Sequence, residues 1–268
     1  MPKLGLIAGN RAFPVHVARA AKALGYEVIC VGLKEETSPA LEESCDRMHW
    51  VTFQELGTVP DLLKKEGVKQ VILAGQVRPE RLVAGDSKWE GMFRQLLAMV
   101  PDRSGTSAMQ MAVRHLESLG FEVLHSGVFL KEWIPKAGLL TRRAPTPEEK
   151  EDLIAGLGLA RQLSRLKIGQ TVVIRQGAVV AVEAMEGTDA AIGRTGAITG
   201  GGAVVVKACG PDHDMRFDIP VVGLSTLEAM EAARIICLGV EADRTLLFDR
   251  PEFIRLADQK GFSITALP

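Results

Sequence analysis

The sequence predicts an α/β protein of two α/β domains, an N-terminal Rossmann-like parallel sheet and a C-terminal mixed α/β domain. Three observations predict it. In the first half, short apolar runs alternate with segments of helical period, the pattern of strands joined by crossover helices. Around residues 135–147 the alternation breaks in a stretch dense in proline, glycine and arginine. Beyond it, β-branched runs dominate before helices and strands alternate again. At 268 residues and 47% hydrophobic content the chain can core two ordinary domains. The expected boundaries are 1–134, a linker at 135–145, and 146–268.

Lys3–Ala8 is a short apolar run and the first strand. Val15, Ala18, Ala21 and Leu24 then recur at helical spacing over 14–24. Glu27–Leu33 is a β-branched strand, 49–53 a third and 68–74 a fourth, with Thr58 placed to cap a helix over 60–66. Further helices are expected over 89–99 and 107–119, and Gly120 stops the second before a strand at 121–125. Thr146, Pro147 and Glu149 supply a cap, an N1 proline and a carboxylate three residues after the cap. Leu153, Ile154, Leu157, Ala160 and Leu163 give that helix an apolar face, ending near 167–169. Strands follow at Thr171–Arg175, 178–184 and 203–208, the first two joined by a Gln176–Gly177 hairpin signal. Residues 215–217 read as a further short strand. Ser225 with Glu228 predicts a capping box for a helix to about 235. A strand at 245–248, a helix after Asp249 and a strand at 263–266 complete the chain.

Composition excludes several classes of function. The formal net charge of −1 lacks the basic footprint of a nucleic-acid binder. No apolar run reaches the ~18 residues of a membrane span. The opening MPKLGLIAG lacks a signal peptide's apolar region and cleavage site, so a cytoplasmic protein is expected. Cys30, Cys45, Cys209 and Cys237 lie far apart with no CxxC, which argues against zinc or redox chemistry. GxGxxG, GxxxxGK[ST] and GxSxG do not occur, which counts against dinucleotide, Walker-type and serine-hydrolase sites.

The stretch from 186 to 220 concentrates the groups that handle phosphate. Glu186, Gly187, Thr188 and Asp189 fall at a strand-to-helix junction, where a hydroxyl and backbone N–H groups meet a carboxylate. N-capping by Thr188 or Asp189 is the plain structural alternative. Lys207 ends an apolar strand, and Asp218 stands at a second junction just before Pro220, downstream of Arg216. Asp212 and His213 are bystanders. Gly9, Asn10 and Arg11 follow the first strand and open a helix, and Gly75 and Gln76 follow the fourth strand. Ligands of open parallel sheets sit beyond the carboxyl ends of the strands, so both pairs are expected at one crevice, or else are ordinary loops. These parts favour phosphate-ester or pyrophosphate chemistry.

With these residues in view, the chain resembles the LpxI family of UDP-2,3-diacylglucosamine pyrophosphatases over nearly its whole length. The resemblance is carried by GLIAGNRAFP at 5–14, GQVRPERL at 75–82, GLLTRRAPTPEE at 138–149, IGQTVVIRQGAVVAVEAMEGTDA at 168–190 and GGAVVVKACGPDHDMRFDIPVVG at 201–223. The last two are long and specific. The resemblance implies a cytoplasmic enzyme of lipid A biosynthesis. It would hydrolyse UDP-2,3-diacylglucosamine to 2,3-diacylglucosamine 1-phosphate (lipid X) and UMP with Mg²⁺, by attack at the β-phosphorus. Similar enzymes have two domains that close on the substrate. Where family members commonly show Gly-Asp-Asp, this chain reads Gly105-Thr106-Ser107.

On this reading the N-terminal domain binds substrate and the C-terminal domain is catalytic. Asp218 and Asp189 are the expected catalytic and metal-orienting carboxylates. Gly9, Asn10, Arg11, Gly75, Gln76, Gly169, Gln170, Glu186, Gly187, Thr188, Lys207 and Arg216 form the expected substrate-binding set. The expected partners are a lipid-linked UDP-sugar, the cytoplasmic face of the inner membrane in transient contact, and a second copy in a homodimer. A sugar-nucleotide sensor without catalysis and a nicotinamide oxidoreductase are the competing readings.

Overall fold

A computed structural model describes residues 1–77 and 105–268. The helix expected over 89–99 and the GQVRPERL motif beyond Val77 lie outside the described residues. Tertiary contacts divide the chain into two compact units, Met1–Leu130 with Asp214–Asp218, and Lys131–His213 with Ile219–Pro268.

In the first unit, β1 (Lys3–Ala8), β2 (Glu27–Leu33), β3 (Arg47–Val51), β4 (Gln70–Ala74) and β5 (Glu122–Val123) form a sheet of order β3-β2-β1-β4-β5. Every pairing in it is parallel. β2 is buried at all but its first residue, as a strand covered on both faces must be. α1 (Phe13–Ala23) begins with Pro14 in its first turn and turns Val17, Ala18 and Ala21 inward. α2 (Val59–Lys65) and α3 (Gly105–Ser118) contribute Leu63, Val113 and Leu116 to a core with Ile29, Val31 and Val71. Phe217 packs against the same core, and Ser126 donates from both its N–H (3.1 Å) and its hydroxyl (2.8 Å) to the Met215 carbonyl. These contacts place Asp214–Asp218 in the first unit, although the sequence reading grouped Arg216 and Asp218 with Lys207. The strand expected at 215–217 is a turn.

The second unit holds β6 (Gly138–Leu139), α4 (Pro147–Arg165), β7 (Thr171–Arg175), β8 (Ala178–Val182), α5 (Thr188–Thr199), β9 (Val204–Lys207), β10 (Val221–Val222), α6 (Leu224–Ala232), β11 (Cys237–Glu241), β12 (Leu246–Leu247), α7 (Arg250–Gln259) and β13 (Ser263–Leu267). Its main sheet runs β6-β13-β11-β9-β7-β8. β13, β11 and β9 are parallel, while β6, β7 and β8 pair antiparallel. β10 and β12 form a small parallel pair. The capping box of α4 forms as expected: Glu149 N donates to Thr146 Oγ1 (3.2 Å) and Thr146 N to Glu149 Oε2 (2.8 Å). The Gln176–Gly177 hairpin also forms, and the buried Asp152 carboxylate accepts from both turn N–H groups at 2.8 and 2.7 Å.

Three local expectations change. Residues 138–139, in the expected linker, pair with β13, and Thr141 Oγ1 accepts from Ile264 N at 2.9 Å. α6 starts at Leu224 behind Gly223 with no side-chain cap, so Ser225 and Glu228 form no capping box. No strand is expected at Cys237–Glu241, yet β11 is central in the sheet and fully buried. Among the described residues, no helix is long and apolar enough to cross a membrane.

Candidate active site

In the first unit the loops after β1 and β4 meet. These strands are neighbours, and β2 lies on the other side of β1, so both loops leave the sheet where its strand order reverses. Gly9 N donates to Ala74 O and Asn10 N to Gln76 O, each at 2.8 Å. A Cβ at Gly9 would lie 2.5 Å from Gln76 O, and one at Gly75 (φ +87°) 2.6 Å from Asn10 O. The glycines are therefore needed for two backbones to cross. Asn10 Nδ2 donates to Glu36 Oε2 at 3.0 Å, while Asn10 Oδ1 is buried without a hydrogen bond. Arg11 is exposed at φ 66°, beside the uncapped start of α1.

The 214–218 segment carries Arg216 and Asp218. Asp214 holds the Arg216 guanidinium in a fork, at 2.9 Å from Nε and 2.7 Å from Nη2, and Nη1 bonds Glu117. The Asp214 hydrogen bonds push the guanidinium further up from its already high value, against a smaller cost of burial. Asp218 is half-buried.

In the second unit, the start of α5 gathers several expected residues around one the sequence reading missed, Glu183. Gly187 (φ 83°) precedes the helix, and no side chain caps its first turn among the described residues. Thr188, its first residue, accepts from Lys207 Nζ at 2.7 Å and donates to Glu183 Oε1 at 2.9 Å. Lys207 Nζ also faces Thr171 Oγ1 at 3.4 Å and Glu183 Oε2 at 3.5 Å. Gln170 N donates to Glu183 Oε2 at 3.2 Å. Burial works to raise the Glu183 carboxyl, but Lys207 and the bonds from Thr171, Thr188 and Gln170 hold it below the usual glutamate value. A signal for this pair was present: Glu183 and Lys207 are lone opposite charges in the apolar runs VAVEA and VVVKA. A buried lone charge demands a partner.

The other expected residues have local partners. Asp189 Oδ1 accepts from Thr226 Oγ1 at 2.9 Å. Exposed Glu186 accepts from Arg194 Nη2 at 3.0 Å and Ala184 N at 3.1 Å. His213 lies 3.3 Å from Ser164 Oγ and 3.4 Å from Gln170 Nε2, and exposed Asp212 pairs with Arg165 at 3.2 Å. A second missed carboxylate is Glu241, the last residue of β11 and 1% exposed. It accepts from Cys209 N and Gly210 N at 2.9 Å each and from Arg161 Nε at 2.7 Å. Arg244 bonds Cys209 Sγ and the Pro211 and His213 carbonyls, so residues 209–213 are braced from both sides.

Among the described residues no group of three His, Cys, Asp or Glu side chains could hold a metal.

A parallel sheet with a loop crossing at its switch point, and a mixed sheet with a buried lysine under a helix start, define a two-unit α/β protein. The chain belongs to the LpxI family. The LpxI N-terminal domain matches residues 3–133 and the LpxI C-terminal domain residues 136–265. A relative from Caulobacter vibrioides, UDP-2,3-diacylglucosamine pyrophosphatase LpxI, is 33% identical over 277 aligned positions, covering 98% of this chain and 97% of that protein. Among solved structures, the biotin carboxylase domain of Hydrogenobacter thermophilus 2-oxoglutarate carboxylase matches 66% of this chain at 14% identity and a TM-score of 0.29. Glycinamide-RNase-transformylase T of Mycobacterium tuberculosis matches 68% at 17% identity and 0.25. The aligned regions span 36% and 44% of those chains.

Proposed function

We propose that this protein hydrolyses the pyrophosphate bond of UDP-2,3-diacylglucosamine to 2,3-diacylglucosamine 1-phosphate and UMP, with Mg²⁺. The observation that carries the reading is the end-to-end match to a pyrophosphatase of that name, at 33% identity across both domains. The geometry supports phosphate chemistry beside it. The start of α5 offers backbone N–H groups and the positive end of a helix dipole, with the Lys207 charge buried beneath. The β1 and β4 loops, with the open acceptor of Asn10 and the exposed Arg11, suit the nucleotide or sugar.

Mg²⁺, when bound, would neutralise pyrophosphate oxygens and ease charge onto the departing UMP. Asp218 is assigned to orient and deprotonate the attacking water, and Asp189 is the carboxylate that would help hold Mg²⁺. The Thr188 turn would bind phosphate oxygens through its N–H groups, which lowers the barrier as charge develops on them. A homodimer and transient contact with the cytoplasmic membrane face, where a diacylated substrate resides, belong to the same proposal.

The test is incubation with UDP-2,3-diacylglucosamine in Mg²⁺ or in EDTA. UMP release in the first and none in the second is the expected result; tight binding without UMP release would leave a sensor instead. Asp218→Ala is expected to lower kcat roughly a hundredfold with little change in substrate binding. Near-normal turnover would remove Asp218 from the reaction. Hydrolysis in ¹⁸O-water should label the sugar 1-phosphate, as attack at the β-phosphorus requires; label in UMP would mean attack at the α-phosphorus.

A further inference from the structure

We infer that Lys207 is a strut beneath the α5 turn rather than a phosphate ligand, and that Glu183 is the residue that positions it. The inference rests on the pyrophosphatase reading of the same site. An ammonium group has three N–H bonds, and three protein oxygens surround this one: Thr188 Oγ1, Thr171 Oγ1 and Glu183 Oε2, at 2.7, 3.4 and 3.5 Å. The lysine side chain is only 6% exposed, which leaves little of it for a ligand to touch. The Thr188 hydroxyl has one proton, and it goes to Glu183 Oε1. Neither group therefore keeps a donor for phosphate while Glu183 is in place.

Glu183 is in turn held firmly. Its N–H donates to Thr171 O at 2.8 Å, and its carboxylate accepts from Gln170 N. Gly169 packs so closely on it that a Cβ there would lie 2.1 Å from the Glu183 carbonyl oxygen. Gly169 and Gln170 thus act on the site through Glu183. The carboxylate fixes the lysine, the lysine fixes the Thr188 hydroxyl, and the hydroxyl fixes the first turn of α5. What remains to meet an anion is the backbone of that turn, with a buried positive charge behind it.

The two roles predict opposite signs for Glu183→Gln. A lysine restrained from binding phosphate would be freed by the loss of the carboxylate charge, and UMP would bind more tightly. A strut would lose its anchor, and UMP would bind more weakly. The experiment compares Glu183→Gln, Lys207→Met and the double variant by calorimetric UMP binding, by kcat and KM for UDP-2,3-diacylglucosamine, and by thermal unfolding. For Glu183→Gln we expect UMP affinity to fall and KM to rise roughly tenfold with a smaller change in kcat. A loss of folded protein would instead lower apparent kcat alone. The double variant should recover at least threefold over the worse single variant, because it leaves no unmatched buried charge. Tighter UMP binding by Glu183→Gln, or a double variant no better than the worse single variant, would overturn the inference. If the wild-type protein releases no UMP, the pyrophosphatase reading fails on its own. The unfolding cycle then decides the strut: coupled effects of the two substitutions support it, and additive effects overturn it.

Discussion

Glu241 and Glu183 each sit at the end of a strand, and each stays ionised because donors surround it. At Glu241 burial raises the carboxyl, and the N–H groups of Gly210 and Cys209 with Arg161 outweigh it, so its pKa falls below the usual value of 4.5. Glu183 shifts in the same direction. A carboxyl whose folded pKa is depressed adds stability above its unfolded pKa and loses it as pH falls through the folded value. Urea-derived stability should therefore hold steady from neutral pH down to about 5 and decline below about 4.5, and Glu241→Gln should flatten that decline. Glu241→Ala strips the partner from Arg161 and the two loop N–H groups, and should cost about 3 kcal/mol by urea unfolding. The sequence marks Glu183 as a lone charge in an apolar run, but which group answers it, or Glu241, is not legible, because each partner is distant in the chain. Lys207 lies 24 residues from Glu183, and Arg161 lies 80 from Glu241. Glu186, Gly187, Thr188 and Asp189, by contrast, are consecutive at one strand-to-helix junction, which is why the sequence groups them.

Element by element, what could be read depended on whether a local signal existed. The start of α4 was legible to the residue because cap, proline and N3 carboxylate all lie within four positions. Thr146→Ala should cost about 1 kcal/mol in urea unfolding, since it leaves the Glu149 N–H without its acceptor. β11 was missed for the opposite reason. Residues 232–241 read AARIICLGVE without a clear turn signal, and a fully buried strand lacks alternation. In the structure Arg234 takes a positive φ (57°) after α6, which makes the turn that separates helix from strand. The strand expected at 215–217 failed because Phe217 is partly buried by packing on a helix-and-sheet core rather than by strand pairing. β6 was hidden because two residues in a run of glycine, arginine and proline carry no period at all.

At the scale of the whole molecule, the family was legible early because long motifs span both halves, and the assignment of 214–218 to the first unit was not. That assignment depends on Phe217, Met215 and Arg216 finding partners about ninety residues back. A fragment of residues 1–133 should therefore melt several degrees below the same unit in the intact chain. A synthetic peptide of residues 210–221 should restore part of the difference, and a fragment as stable as the intact unit would show the segment to be a passive passenger. The same arrangement has a consequence for biosynthesis. Ser126 and Met215 are 89 residues apart, which at roughly 5–20 residues per second is roughly 4–18 s of translation. Through that interval the nascent first unit stands outside the ribosome with the apolar seat of Phe217 open to water. The chain therefore matures from its middle as much as from its start, and its first half is exposed to chaperones and to misassociation until the second half is made.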